Sequence, residues 1–193
     1  MLEMKHGKYT AEFAEELSKD LEDYSDFQVY YDHGDSLNPN VGKITPYFRD
    51  KPYDTSTTLS NVDILITHKA NNIENPILLI EIEETYKSPK QILGDIFNLF
   101  FAGSVRFRLD KRSYKVFPLD QANLIVGVAV GSKKASQKID NIYDAIAELK
   151  ELISGSKFDE SIGNIELLKN RDLFELLSQV KKNVLQIISQ YAL

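Results

Sequence analysis

The chain has 193 residues, 42% of them hydrophobic and 27% charged, and its 23 basic and 29 acidic side chains give a formal net charge of −6. This composition is typical of a globular protein that can bury a core, and it excludes a disordered or fibrous chain. The absence of cysteine excludes disulfide scaffolds, thiolate zinc sites and cysteine nucleophiles. No apolar run approaches the roughly 18 residues of a membrane span, and the charged amino terminus does not resemble a signal peptide. We therefore expect a cytoplasmic protein that does not enter a membrane.

The first third of the chain predicts a helix, a strand and a long irregular segment. Residues 9–24 predict a helix capped by Thr10, with Phe13, Leu17 and Leu21 on one apolar face. Residues 27–31 (FQVYY) predict a short strand. Residues 32–58 contain three prolines and two glycines without a clear period, and an irregular stretch of that length is usually functional.

The middle of the chain predicts a hairpin, a helix and a buried strand. Residues 59–68 and 76–84 are apolar enough for two strands, joined by the polar residues 70–75. Ser88 and Pro89 begin a helix, because proline suits the first helical turn, and Gly103 ends it. Residues 123–130 (NLIVGVAV) predict a strand that is buried on both faces.

The remainder predicts only helices. Two apolar stripes follow residue 134, and Gly155 separates them. We therefore expect an α/β core over residues 1–134 and a helical extension over residues 135–193. Two arrangements of the extension stay open: it packs on the core, or it pairs two subunits as a homodimer.

Three carboxylates stand out in the two hairpin strands. The period of two places Glu81 and Glu83 on one face of their strand, at the end of an apolar run. Asp63 lies in the preceding apolar strand and can face Glu81 if the two strands are neighbours. Converging carboxylates without histidine or cysteine are hard oxygen ligands that suit Mg²⁺ or Mn²⁺. The alternative is an ordinary strand whose acidic residues face solvent.

These residues resemble the PD-(D/E)XK superfamily, the restriction-endonuclease-like nucleases, over residues 10–130. The family places an aspartate in its second core strand, here Asp63, and an acidic-x-lysine motif in its third, here Glu81 and Glu83. The resemblance implies a core of helix, three strands, helix and strand. Val62 replaces the family's proline and Glu83 replaces its lysine. Some relatives supply that lysine from the next helix.

In this chain Lys87 or Lys90 would be that lysine, and a solvent-exposed role is the alternative for both. Some relatives also add a glutamate from the first helix, for which Glu16 is the candidate.

The resemblance implies a metal-dependent nuclease that hydrolyses DNA phosphodiester bonds, with a restriction-type endonuclease as one form. Asp63 and Glu81 would hold the metal, Mg²⁺ or Mn²⁺, and Glu83 would accept a proton from the attacking water or hold a second ion. A dimer would allow both strands of a duplex to be cut.

A basic segment could contact the nucleic acid. Residues 105–115 (VRFRLDKRSYK) alternate basic and aromatic side chains, which suits phosphate contacts and base stacking. Arg106, Arg108, Lys111 and Arg112 are the predicted nucleic-acid-binding residues, and a surface strand without such a role is the alternative.

Two other functions remain open at this point. The first is a catalytically inactive protein of the nuclease fold that binds nucleic acid or regulates a partner. The second is a glycosidase that uses Glu81 and Glu83 as its acid and base, although the chain has no tryptophan.

Overall fold

The computed structural model describes residues 7–35, 37–51, 53, 56–85, 88–108, 113–156 and 160–192. The helices in these ranges are α1 (Lys8–Asp20), α2 (Pro89–Phe101), α3 (Lys133–Ile153) and α4 (Leu173–Ser189). The strands are β1 (Phe27–Tyr31), β2 (Ile44–Phe48), β3 (Ile64–Ala70), β4 (Ile73–Glu83), β5 (Ala102–Arg108), β6 (Tyr114–Pro118), β7 (Ala122–Ala129) and β8 (Ile162–Asn170). Among the described helices, none has the length and apolar character needed to cross a lipid bilayer.

The strands form two sheets. The main sheet has the order β1-β3-β4-β7-β8, in which β1, β3 and β4 are antiparallel neighbours and β7 and β8 run parallel to β4. The second sheet has the order β2-β5-β6 and is antiparallel throughout. The protein is therefore a mixed α/β structure, as the sequence predicts.

The central strand β4 is buried on both faces. Leu78 and Ile80 face a hydrophobic layer formed with α1 and α4, whereas Leu79 faces a layer formed with α2, α3 and the second sheet. This two-sided burial explains why the strand is an unbroken apolar run rather than an alternating one.

Several local predictions are confirmed. The strand at residues 27–31 is β1. The hairpin between β3 and β4 turns at Asn71 and Asn72, which have positive φ angles of 52° and 63°, the conformation that asparagine tolerates in tight hairpins. Ser88 caps α2 through a capping box with Gln91, and Pro89 occupies the first turn.

The prediction that residues 135–193 are entirely helical is wrong. Strand β8 lies between α3 and α4 and pairs with β7 at the sheet edge. Its sequence (IGNIELLKN) has no strict alternation, so backbone pairing with β7 outweighs its weak local preference. Helix α3 covers one face of the main sheet and α4 the other, so this segment packs on the core.

The irregular segment at residues 32–58 contains a strand that the sequence did not predict. Strand β2 has only five residues and includes Pro46, and proline within a run argues against a strand. Pairing with β5 on one side, and bridges from Ile44 to Val62 and from Tyr47 to Thr58, hold β2 in place.

A polar network joins the two sheets. The Glu74 carboxylate on β4 accepts hydrogen bonds from the Tyr30 hydroxyl at 2.6 Å, the Thr67 hydroxyl at 2.7 Å and Lys115 Nζ at 3.2 Å. Lys115 belongs to β6 of the second sheet and also donates to the Tyr30 hydroxyl. Partial burial raises the pKa of Glu74, but these hydrogen bonds and the Lys115 charge lower it by more, so the net pKa is below the ordinary value.

We expect Glu74→Gln to lower the free energy of unfolding at pH 7 by about 1–3 kcal/mol, because it removes the charge that pairs with Lys115 and leaves a buried hydroxyl poorly bonded. A lowered folded-state pKa stabilises the protein above the ordinary value of 4.5, and this contribution is lost as the pH falls below it. Urea unfolding between pH 3 and pH 7 should therefore show the difference between variant and wild type shrinking in acid.

Glu148→Gln, at an exposed position on α3, is the matched control and should change stability little at any pH. A Glu74→Gln protein as stable as this control at pH 7 would contradict the assigned role of the network.

Candidate functional site

A polar cavity of about 280 Å³ opens where β4 ends. We call it the acidic cavity. It is lined by Asp32, His33, Ser60, Asn61, Asp63, Glu81, Ile82, Glu83 and Asp95. All three predicted site residues, Asp63, Glu81 and Glu83, are therefore brought together in one cavity.

Asp63 is held in place by the main chain of β4. The β3–β4 ladder ends at the pair Ile64–Ile80, so Asp63 is the next residue beyond it. Its Oδ2 accepts a hydrogen bond of 2.7 Å from the Ile82 amide. Because Ile82 lies between Glu81 and Glu83 in sequence, this bond fixes the Asp63 carboxylate against the main chain of β4 where the two glutamates project.

Glu81 and Glu83 share the face of β4 that carries Leu79, as the strand period requires. They pair in register with Val126 and Val128 of β7. Glu83 is only 6% exposed, and Oε1 of Glu81 is also buried. Placing two neighbouring carboxylates at the end of a hydrophobic layer is costly, and a bound cation or a shared proton relieves that cost.

Sequence reasoning missed Asp32, His33 and Asp95. Asp32 follows β1, and its amide donates a 2.9 Å hydrogen bond to the Asp63 carbonyl. Burial raises the pKa of Asp32, while the charges of His33 and Lys43 act in the opposite direction. Asp32 reaches the cavity because β1 pairs with β3 in antiparallel orientation. No local pattern in the sequence predicts that pairing.

The amino terminus of α1 is attached beside the cavity. Thr10, predicted as the helix cap, lies inside α1, and both its amide and its hydroxyl donate to Glu84 Oε1 at 2.7 and 2.8 Å. The cap is instead Gly7, with a φ of 83° and no side chain to offer. A Cβ at Gly7 would lie 2.4 Å from the ring of His33, so only glycine allows this contact.

The resemblance also suggested a glutamate from α1 and a lysine near the start of α2 as site residues, and the described ones do not line the acidic cavity. Glu16 forms a 2.5 Å ion pair with Lys181 on α4, on the opposite side of the sheet from α2. Lys90 is exposed on α2 and does not line the acidic cavity, and Lys87 is outside the described residues. His33 is the basic side chain among the described residues that line the cavity.

Two of the predicted nucleic-acid-binding residues, Arg106 and Arg108, are on β5. Arg108 is exposed. Arg106 is partly buried, with its guanidinium carbon 3.8 Å from the ring centroid of Tyr114 and 5.0 Å from that of Tyr53. Lys111 and Arg112 are outside the described residues.

Comparison with known proteins found no match among family models, curated proteins or solved structures.

Within the described part of the chain, no group of three or more histidine, aspartate or glutamate side chains is arranged to hold a metal ion. Mg²⁺ is commonly bound by only one or two carboxylates, with water and substrate phosphate completing its octahedron. The pair Asp63 and Glu81 fits that requirement by its donor chemistry.

We expect Asp32→Asn to raise the free energy of unfolding at pH 7. Because burial raises the pKa of Asp32, ionising it costs more in the folded than in the unfolded state. This destabilisation is absent well below the ordinary pKa of 3.8, grows as the pH rises from there to the raised folded-state pKa, and is constant above it. Urea unfolding in EDTA should show the gain at pH 7 and its loss below pH 3.8.

The control is Asp144→Asn, at an exposed position on α3, which should leave stability unchanged. An Asp32→Asn protein less stable than wild type at pH 7 would mean that the carboxylate makes a net favourable contribution.

We expect Glu84→Ala to destabilise the protein by about 0.5–2 kcal/mol, as does the loss of a helix cap, because two Thr10 donors lose their acceptor. Glu84→Gln keeps an oxygen acceptor and should cost less. Denaturant unfolding measures the change, and amide exchange at Thr10 should accelerate. The exposed Glu22 gives the control Glu22→Ala, and equal stability of the two alanine variants would refute the capping role.

Proposed function

We propose that this protein is a metal-dependent nuclease that hydrolyses DNA phosphodiester bonds, with a fold like that of the PD-(D/E)XK enzymes. The observation that carries the proposal is the convergence of Asp63, Glu81 and Glu83 in one cavity at the end of the central strand. One buried and two partly buried carboxylates around an open cavity are unusual unless a cation or a reaction uses them.

The topology supports the same proposal. Helix α1 precedes the antiparallel strands β1, β3 and β4, and α2 then leads to the parallel strand β7. This order agrees with the core of helix, three strands, helix and strand that the resemblance implies. Strands β2, β5 and β6 form a separate sheet, so they extend that core without interrupting it.

The residues of the cavity have distinct tasks in this proposal. Asp63 and Glu81 hold the ion, and the Ile82 amide keeps the Asp63 carboxylate in place. When bound, Mg²⁺ or Mn²⁺ would supply Lewis acidity toward the phosphate and the attacking water. Glu83, on the same strand face, would act as the general base that takes the proton from the attacking water.

The replacement of the family's lysine by Glu83 supports one specific alternative. The described residues that line the cavity include neither lysine nor arginine, so the cation that this family usually contributes is absent from them. The alternative function is therefore a protein of the nuclease fold that binds nucleic acid, or regulates a partner, without cutting.

The deciding experiment compares wild type with Asp63→Asn. Asparagine keeps an oxygen that can accept the hydrogen bond of Ile82, so the fold should survive, but it removes the charge that attracts a metal ion. We expect calorimetric titration with Mg²⁺ or Mn²⁺ to show binding to the wild type only. Nicking of supercoiled plasmid should fall by at least about 100-fold in the variant.

Asp144→Asn is again the control and should bind metal and cut DNA as the wild type does. Glu81→Gln tests the second ligand independently and should lose both properties. Absence of metal binding by wild type at millimolar concentrations would contradict the proposal. Metal binding without cleavage of any DNA substrate would favour the non-catalytic alternative.

A further inference from the structure

We propose that the solvent-facing side of the second sheet binds single-stranded nucleic acid by base stacking and leads the strand toward the acidic cavity. We call this side the outer face. The binding itself follows from the surface alone. The inference that the bound strand is then cut rests on the function proposed above.

Strand register determines which side chains form the outer face. Arg106 pairs with Thr45 on β2 and with Val116 on β6, and Arg108 pairs with Tyr114. The alternate residues of these strands, such as Phe107 and Phe117, point inward and are buried in the core. Exposed fractions of 41% for Tyr114 and 43% for Val116 show that the outer face is open to solvent along β6, whereas Thr45 and Ser104 on the same face are covered.

An arginine holds three tyrosines of the outer face in fixed positions. The guanidinium carbon of Arg106 lies 3.8, 5.0 and 5.4 Å from the ring centroids of Tyr114, Tyr53 and Tyr47. Tyr47 and Tyr53 also contact each other edge-to-face at 5.2 Å. The rings are therefore ordered before any ligand arrives, which lowers the entropic cost of binding.

The exposed area of these rings is suited to nucleobases. Tyr53 is 48% exposed and Tyr114 41%, so each ring presents part of its surface to solvent while the rest contacts Arg106. A base stacked on such a ring contributes affinity with little dependence on sequence. In a duplex the bases already stack on one another, so this surface favours unpaired strands.

Among the described residues, the charge of the outer face is opposite to that of the whole protein. The chain has a formal net charge of −6, but the described part of this face carries Arg106 and Arg108 on β5. The exposed Lys51, with Asp50 beside it, lies next to Tyr53. Positive side chains interleaved with aromatic rings match the alternation of phosphate and base along a single strand. Charge complementarity therefore selects a polyanion as the occupant.

The outer face is connected to the acidic cavity through the start of β2. The Arg108 amide donates a 2.9 Å hydrogen bond to the Lys43 carbonyl, and the amide of the preceding residue, Gly42, donates one of 2.9 Å to the Tyr31 carbonyl, next to Asp32 of the cavity. Ile44, the residue after Lys43, bridges to Val62 beside Asp63. A strand that runs past Arg108 and Lys43 thus arrives at the carboxylates.

The test measures fluorescence anisotropy of a labelled 12-nucleotide oligothymidine in EDTA and low salt, so that binding is separated from metal and cleavage. We expect the wild type to bind it more tightly than a duplex of equal length. Tyr53→Ala and Tyr114→Ala should each weaken binding by roughly 5- to 150-fold. Tyr53→Phe and Tyr114→Phe keep the rings and should bind within about 2-fold of wild type.

The control is Tyr143→Ala, which removes an exposed tyrosine from α3, and it should bind as the wild type does. Circular dichroism verifies that each alanine variant is folded. The proposal is overturned if no oligonucleotide binds, if duplex binds as well as single strand, or if the folded alanine variants bind like the control.

If the nuclease proposal fails but the binding proposal holds, the measurements give a different result. In that case the wild type and Asp63→Asn would both bind oligothymidine in EDTA, and neither would cut it when Mg²⁺ or Mn²⁺ is added. The outer face would then belong to a binding protein.

Discussion

The burial of β4 on both faces is the constraint on which the rest of the structure depends. A strand whose side chains are apolar on either side must be covered twice, and α1 with α4 and α2 with α3 supply the two layers. At the end of β4, Glu81 and Glu83 follow Leu79 on the strand face that packs against α2, so carboxylates replace apolar side chains where this layer ends. The acidic cavity is thus a direct consequence of how the central strand finishes.

The cavity combines rigid support with unfavourable electrostatics. The Ile82 amide holds Asp63, and Glu84 holds the amino terminus of α1, so the surrounding main chain has little freedom to move the carboxylates apart. Burial meanwhile raises the pKa of Asp32, so the ionisation of this carboxylate costs free energy. Proteins retain such arrangements where function requires them, and stability elsewhere, as in the Glu74 network, offsets the cost.

Much of the fold was predictable because its signals are local. The start of α2 at Ser88 and Pro89 and the apolar period of β4 depend on residues within a few positions of one another, and the structure confirms both predictions. Strands β2 and β8 were missed because their formation depends on partners far away in the chain, β5 and β7. Strand β2 is short and contains a proline, and β8 has no alternation of apolar and polar residues. Neither strand therefore has a local sequence pattern from which it can be predicted.

The same distinction applies to the candidate site. The sequence alone determined that Glu81 and Glu83 share a strand face, because side-chain alternation is a local property of extended chain. That Asp63, immediately before β3, lies beside them depended on the pairing of β3 with β4. Only the tertiary structure decided that Asp32 and Asp95 reach the same cavity and that Arg106 is enclosed by tyrosines. Those contacts join β1 to β3, α2 to β4 and β2 to β5, and the register of such pairings is set by packing across the whole core.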